Sequence, residues 1–253
     1  MNHLVDAAIV FACVFGSALL GSYLRRVLPQ HHLSDESTSV VKLATGLVAT
    51  MAALVLGLLI SSAKGSFDTM NTELLHSAAA IVRLDRVLAH YGPETQEIRS
   101  ALKRTTEAGV AAMSSGDPAQ VAKLSSPEAI DRGEAFQRQV EDLSPHTDLQ
   151  RQLQARALQI VDEVLATRWL ALLQQTGSIP TPLLVVLVSW LAILFGTFGL
   201  FAPRNGTTMT ALVMCALSTS GAIFLIMEMS TPLGGIVKIS FAPMRAALDI
   251  LGH

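Results

Sequence analysis

The sequence predicts an all-α integral membrane protein with four transmembrane helices and a helical extramembrane bundle between the second and third. Three observations carry this. The chain of 253 residues is 51% hydrophobic and only 15% charged, whereas a soluble domain carries about 25% charged residues. The apolar excess is gathered into four uncharged runs, Ala7 to Leu24, Leu43 to Ala63, Pro182 to Ala202 and Asn205 to Met227. The long polar stretch between the second and third runs never alternates like a strand and carries its prolines where helices begin.

A helix rises 1.5 Å per residue and the hydrocarbon core is roughly 30 Å thick, so each run is long enough to span, the first only just. The basic pair Arg25 and Arg26 follows the first run instead of preceding it, and no small-x-small cleavage site is evident, so the segment reads as a retained span rather than a signal peptide. Residues 1–63 therefore form a transmembrane hairpin with spans 7–24 and 43–63. No proline occurs between Pro29 and Pro93, which predicts that the second span continues as one helix to Tyr91. Leu74, Ile81 and Leu88 recur every seven residues along that extension, with Leu84 and Tyr91 beside them, an apolar seam suited to packing against other helices.

Residues 64–181 form the helical extramembrane region. Pro93, Pro118, Pro127 and Pro145 each follow a cap residue, Gly92, Asp117, Ser126 and Ser144, and so predict four helix starts. Glu128 lies three residues after Ser125, a capping-box spacing. "SSGDPAQVAKLSSPEA" is read as the mobile part. Leu149, Leu153, Ile160 and Val164 are expected on one buried face of a helix that Gly177 ends. Residues 182–230 form a second transmembrane hairpin, spans 182–202 and 205–228 about the turn "PRNGT", and 231–253 are a tail. Cys13 and Cys215 fall inside spans, where a thiol behaves as a small hydrophobe and no disulfide is expected.

Composition also excludes classes. A net charge of −2 with no large Lys/Arg cluster gives no electrostatic footprint for nucleic acid. His31 and His32, with Asp35 and Glu36 a turn later, read as a solvated loop and not as metal ligands; His76 and His90 are too far apart on one helix to share an ion. There is no Gly-rich phosphate loop, nucleophile elbow or zinc-protease histidine pair, so no catalytic, cofactor-binding or metal-ligating residue is expected, and no enzyme. The charges do not choose an orientation. Arg25, Arg26 and Lys42 in the first loop are balanced by Lys64, Arg83, Arg168, Lys238 and Arg245 around the middle region and tail.

Two features remain as candidate sites. Glu228, at the end of the fourth span, reads as a membrane-interface carboxylate, with a buried functional acid as the alternative. On the second span, Gly46, Thr50, Ala53, Gly57, Ser61, Lys64 and Asp68 fall within roughly one quarter of the helix circumference at about 100° per residue. Such a stripe can pack helices closely, since small residues let backbones approach, or it can line a pathway when copies of the helix surround an axis. In the reverse assignment, Val48, Val55 and Leu59 on the other face form an apolar gate.

The segments "LPQHHLSDESTSVVKLATGLVATMAALVLGLLISSAKGSFD", "LDRVLAHYGPE", "FGLFAPRN" and "SGAIFLIMEMSTPLGGIVKIS" resemble the signature segments of a functionally uncharacterised bacterial family of four-span membrane proteins, the bestrophin-like family. The resemblance implies an arrangement similar to bestrophins: a homopentameric anion channel with second spans around the pore, and the middle region and both termini in the cytoplasm. It also implies an apolar neck, which favours the Val48, Val55, Leu59 face. Where family members carry an acidic and a basic residue, this chain has Ser230 and Thr231, so no charged role at the fourth span's exit is carried over. The expected function is thus an oligomeric ion channel of the bacterial inner membrane, passing small inorganic ions with no cofactor. The rival reading is a membrane-anchored structural or signalling module whose middle region binds a partner protein. A third, a stator-like subunit of a proton-driven complex, is disfavoured by the lack of an Asp or Glu at mid-membrane.

Overall fold

Absence of strand alternation leaves helix as the only way to satisfy the backbone of an apolar chain, and helix is what the chain forms. A computed structural model describes residues 3–28, 35–124, 126–174, 181–203, 205–231, 237 and 239–252, and among these there is no strand. The helices are α1 (His3–Val27), α2 (Asp35–Tyr91), α3 (Gln96–Ser115), α4 (Pro118–Lys123), α5 (Pro127–Glu141), α6 (Asp148–Gln174), α7 (Thr181–Phe201), α8 (Gly206–Ser230) and α9 (Ala242–Ile250). A 3-10 turn, Pro93–Thr95, separates α2 from α3. Four of them, α1, α2, α7 and α8, are long and apolar enough to cross a membrane. The proline-free interval is a single helix of 57 residues.

The chain divides into two units, Met1–Ser66 with Ser178–Ser230, and Phe67–Gly177 with Thr231–His253. In the first, α1 buries Val10, Val14, Ala18 and Gly21, and α7 buries Leu187, Leu191, Leu194, Phe195 and Gly199. The two backbones approach so closely that a Cβ on Gly21 would overlap the Gly196 carbonyl, and one on Gly199 the Ala18 carbonyl. This is the small-residue packing by which helices associate in lipid. Ser22 Oγ donates to the Gly199 carbonyl at 3.1 Å, and Arg25 Nη1 donates to the carbonyls of Phe201 and Ala202. A cation therefore meets the negative end of α7.

In the second unit, the seam of α2 is in the core: Leu74, Ile81, Leu84 and Leu88 are buried with Ile98 and Leu102 of α3, Val140 of α5, Ala157, Ile160 and Val161 of α6, and Met244 and Ala247 of α9. The tail is thus part of the same core as the middle region. Gly92 takes φ 145° at the end of α2, a conformation open to glycine. Buried Thr95 closes the turn by donating to the Leu88 carbonyl at 2.6 Å and, as a second acceptor, to Gly92 at 2.9 Å.

Two local expectations are corrected. Pro118 and Pro127 each open a helix, but Pro145 does not; α6 begins at Asp148. The reason is a stronger cap downstream, where Thr147 Oγ1 accepts from Gln150 N–H at 3.1 Å while Gln150 Oε1 accepts from His146 N–H at 2.8 Å. Leu149 is exposed, not inward, because the buried arc of α6 centres on Ala157 and reaches Gln150 in the first turn, leaving Leu149 just outside it. The cap of α5 is Ser126; Ser125 lies outside the described residues. The segment expected to be mobile contains α4 and its caps, with Asp117 Oδ1 accepting from Ala119 N–H at 2.9 Å.

Candidate functional site

The site candidates lie on α2, whose membrane-crossing part has three distinct faces. One face is packed. Ala52, Leu59 and Ala63 are buried in the core of the first unit, with Val48, Ala49, Val55 and Leu56 partly buried against it. The opposite face is the stripe: Gly46, Thr50, Ala53, Gly57, Ser61, Lys64 and Asp68 are all exposed. A flank of large apolar residues separates the two on one side, with Leu47, Leu54 and Leu58 at 65%, 76% and 67% exposure.

Small residues are normally tolerated in a membrane helix because something packs against them, yet a Cβ added at Gly46 or Gly57 would meet nothing within 4 Å. Among the described residues of one chain, therefore, these glycines serve no close approach, in contrast to Gly21 and Gly199. Thr50 spends its hydroxyl hydrogen on its own helix, donating to the Leu47 carbonyl at 2.8 Å with Gly46 at 3.0 Å, so its lone pairs face outward. Burial of the most apolar window is 11% in α2, against 22%, 28% and 22% in α1, α7 and α8. α2 is the least covered of the four.

Val48, Val55 and Leu59, the residues of the apolar-gate assignment, thus lie on the packed face. Glu228, read from the sequence as an interface carboxylate, is buried in α8 at 3% exposure. Among the other sequence candidates, His76 and His90 are exposed, and His90 Nδ1 contacts the Arg86 carbonyl at 2.7 Å. His31 and His32 lie outside the described residues. Among the described residues, no three His, Cys, Asp or Glu side chains converge to hold a metal ion, and Cys13 and Cys215 are free thiols on exposed positions.

The structure also shows charged groups that spacing did not single out. Asp85, 1% exposed, is held by Arg99; two residues fourteen apart on separate helices leave no periodic signal. Glu73 precedes Leu74 of the seam, and its Oε2 is cut off from solvent with no hydrogen-bond partner among the described residues. Its spacing from Met70 and Ser77, on the same face of α2, is the signal that could have marked it.

Helices of this length and apolarity, packed through glycine at α1 and α7, define an all-helical membrane protein. The chain belongs to the bestrophin-like family: the family model of the Bestrophin-like domain matches residues 12–244. The fold is similar to two crystal structures of a bacterial bestrophin homologue from Klebsiella pneumoniae, each carrying one point substitution. The first aligns with a TM-score of 0.61 at 15% identity over 100% of both chains. The second aligns with a TM-score of 0.53 at 16% identity over 98% of this chain and 100% of that one. No curated protein matches the chain.

Proposed function

We propose that the protein is a homo-oligomeric channel for small inorganic ions, pentameric by analogy with the bestrophins, in which the α2 helices surround the axis. The stripe from Gly46 to Asp68 lines the pathway. One observation carries this reading: all seven stripe residues are exposed on a single chain, opposite the face that packs into its own subunit. Hydroxyls and charges gain nothing from facing lipid tails, and an axis shared by several copies gives them water. The burial of Val48, Val55 and Leu59 within the subunit favours the stripe over these residues as the pathway face. Leu47, Leu54 and Leu58 then face a neighbouring copy or lipid.

The chain resides in the bacterial inner membrane with the middle region and both termini on the cytoplasmic side. The shared core of the middle region and the tail supports their common side. Flux of chloride, nitrate, potassium and sodium in liposomes containing the purified protein tests the channel reading. A conductance above that of protein-free liposomes is expected; none for any of these ions, from a particle whose axis is sealed by side chains, leaves the membrane-anchored binding module as the function.

A further inference from the structure

Four polar residues of α6, Gln152, Arg156, Gln159 and Glu163, follow one another at steps of three and four and so share one face of the helix. Ala157, Ile160 and Val161 turn another face into the core of the second unit. A polar helix face is ordinarily convex and solvated. This one is concave: with Arg83 of α2 and the edge of Ile160 it walls an open groove of about 430 Å³. Arg83 Nη2 donates to Glu163 Oε2 at 2.7 Å across it, and both side chains are half exposed. An exposed ion pair of this kind contributes little to stability, so folding alone does not account for the grouping. A guanidinium carries five N–H donors and a carboxamide two. Arg83 spends one of its donors on Glu163, and among the described residues the side chains of Gln152, Arg156 and Gln159 have no hydrogen-bond or ion-pair partner. The groove holds two guanidiniums against one carboxylate, and that carboxylate is already engaged. What it lacks is an anionic acceptor.

We propose that this groove binds a small soluble oxyanion, a carboxylate or a phosphate. Arg156 is the anchor, because a planar guanidinium meets two oxygens of either group side by side. Gln152 and Gln159, about one turn to each side of Arg156, supply neutral donors to the remaining oxygens. Arg83 adds its charge while staying on Glu163. A cation would meet two guanidiniums and a carboxylate that is already paired. The helix that supplies four of the five polar residues, α6, is not among those apolar enough to cross a membrane, which favours a soluble anion over a lipid headgroup.

The test is calorimetric titration of the full chain, in phospholipid-free detergent at fixed ionic strength, with pyrophosphate and with succinate. Saturable binding of one anion per chain is expected for at least one of the two. Arg156→Gln, which removes the charge and keeps most of the length, weakens it by about fivefold or more. Glu163→Gln removes the negative charge of the groove, frees Arg83, and tightens binding. Arg138→Gln, at an exposed arginine of α5 that pairs with Glu134, leaves it unchanged. All three positions are exposed, and thermal unfolding of each variant should match that of the parent. The proposal is overturned by an absence of saturable binding of either anion in detergent, by equal affinity in Arg156→Gln, or by weaker binding in Glu163→Gln. It is overturned equally by a loss in Arg138→Gln as large as in Arg156→Gln, which would show a diffuse surface field. Binding that appears only when phosphatidylglycerol is added would assign the groove to lipid headgroups and overturn the soluble ligand.

Discussion

Asp85 and Arg99 form a two-pronged ion pair in the core of the middle region, Nε to Oδ1 at 2.7 Å and Nη2 to Oδ2 at 3.0 Å. The pair ties the end of α2 to the start of α3 across the turn that Gly92 and Thr95 make. Hydrogen bonding to Asp85, with the attraction of its charge, outweighs burial and holds the Arg99 guanidinium above its already strongly basic range. The Arg99 side of this contribution is complete below the ordinary arginine range and declines as pH rises from there toward the raised value. Removing one partner, in Asp85→Ala or Arg99→Ala, leaves the other buried without this counter-charge, and should cost about 3–5 kcal/mol. The joint replacement Asp85→Leu with Arg99→Met should cost much less than either. Thermal unfolding of the four proteins in the same detergent measures the difference; additive losses would show that the two groups act separately.

Tyr91 predicts a pH dependence. Its hydroxyl is shielded from water with no hydrogen-bond partner among the described residues, and burial, then the nearby Glu94 charge, raises its pKa. The neutral form is thus favoured in the folded chain. Its contribution is complete below the ordinary tyrosine value of about 10 and declines as pH rises from there toward the raised value. Unfolding measured from pH 8 to 11 should show this alkaline loss, and Tyr91→Phe should flatten that part of the curve while leaving stability at pH 8 equal or slightly higher. A parallel decline in both proteins would remove Tyr91 as the cause.

Gly199 and Gly21 predict where size is not tolerated. A Cβ at either runs into backbone of the other helix, Ala18 or Gly196, and backbone cannot move aside as a flexible side chain can. Gly199→Val should destabilise the α1–α7 pair by about 1–3 kcal/mol or more, read as a lower detergent unfolding temperature. Gly16→Ala on α1, where an added Cβ meets nothing within 4 Å, should be neutral or slightly stabilising. Equal tolerance at the two sites would contradict the close approach.

These glycines show what the sequence did and did not make legible. The long α2 followed from the absence of proline between residues 29 and 93, and the seam Leu74, Ile81, Leu88 followed from its seven-residue period; both are local properties of one helix. Gly21 of α1 and Gly199 of α7 looked no different from Gly16 of α1 or Gly46 and Gly57 of α2, yet of these five only the first two meet another backbone. Which small residue finds a neighbour depends on the tertiary arrangement, which no single-helix pattern encodes. The same holds for Asp85 with Arg99, and for Gln150, whose reach to the Tyr91 carbonyl at 3.2 Å and to the cap of α6 displaced the start expected at Pro145. Leu149 was misplaced because a helix face judged from apolar residues alone ignores a polar residue with inward work to do.

The most direct test of the channel reading is cysteine accessibility along α2, in a Cys13→Ala, Cys215→Ala background that removes the two exposed thiols. Single cysteines at Thr50, Gly57 and Ser61, at Leu54 and Leu58, and at Val55 and Leu59 are treated with a charged, membrane-impermeant thiol reagent while ion flux is recorded in liposomes. The account predicts fast reaction and altered flux at Thr50, Gly57 and Ser61, with slow reaction and no change on the other two faces. Modification that changes flux at Leu54 and Leu58, or at Val55 and Leu59, while the stripe stays inert would contradict it and place the pathway on an apolar face of α2.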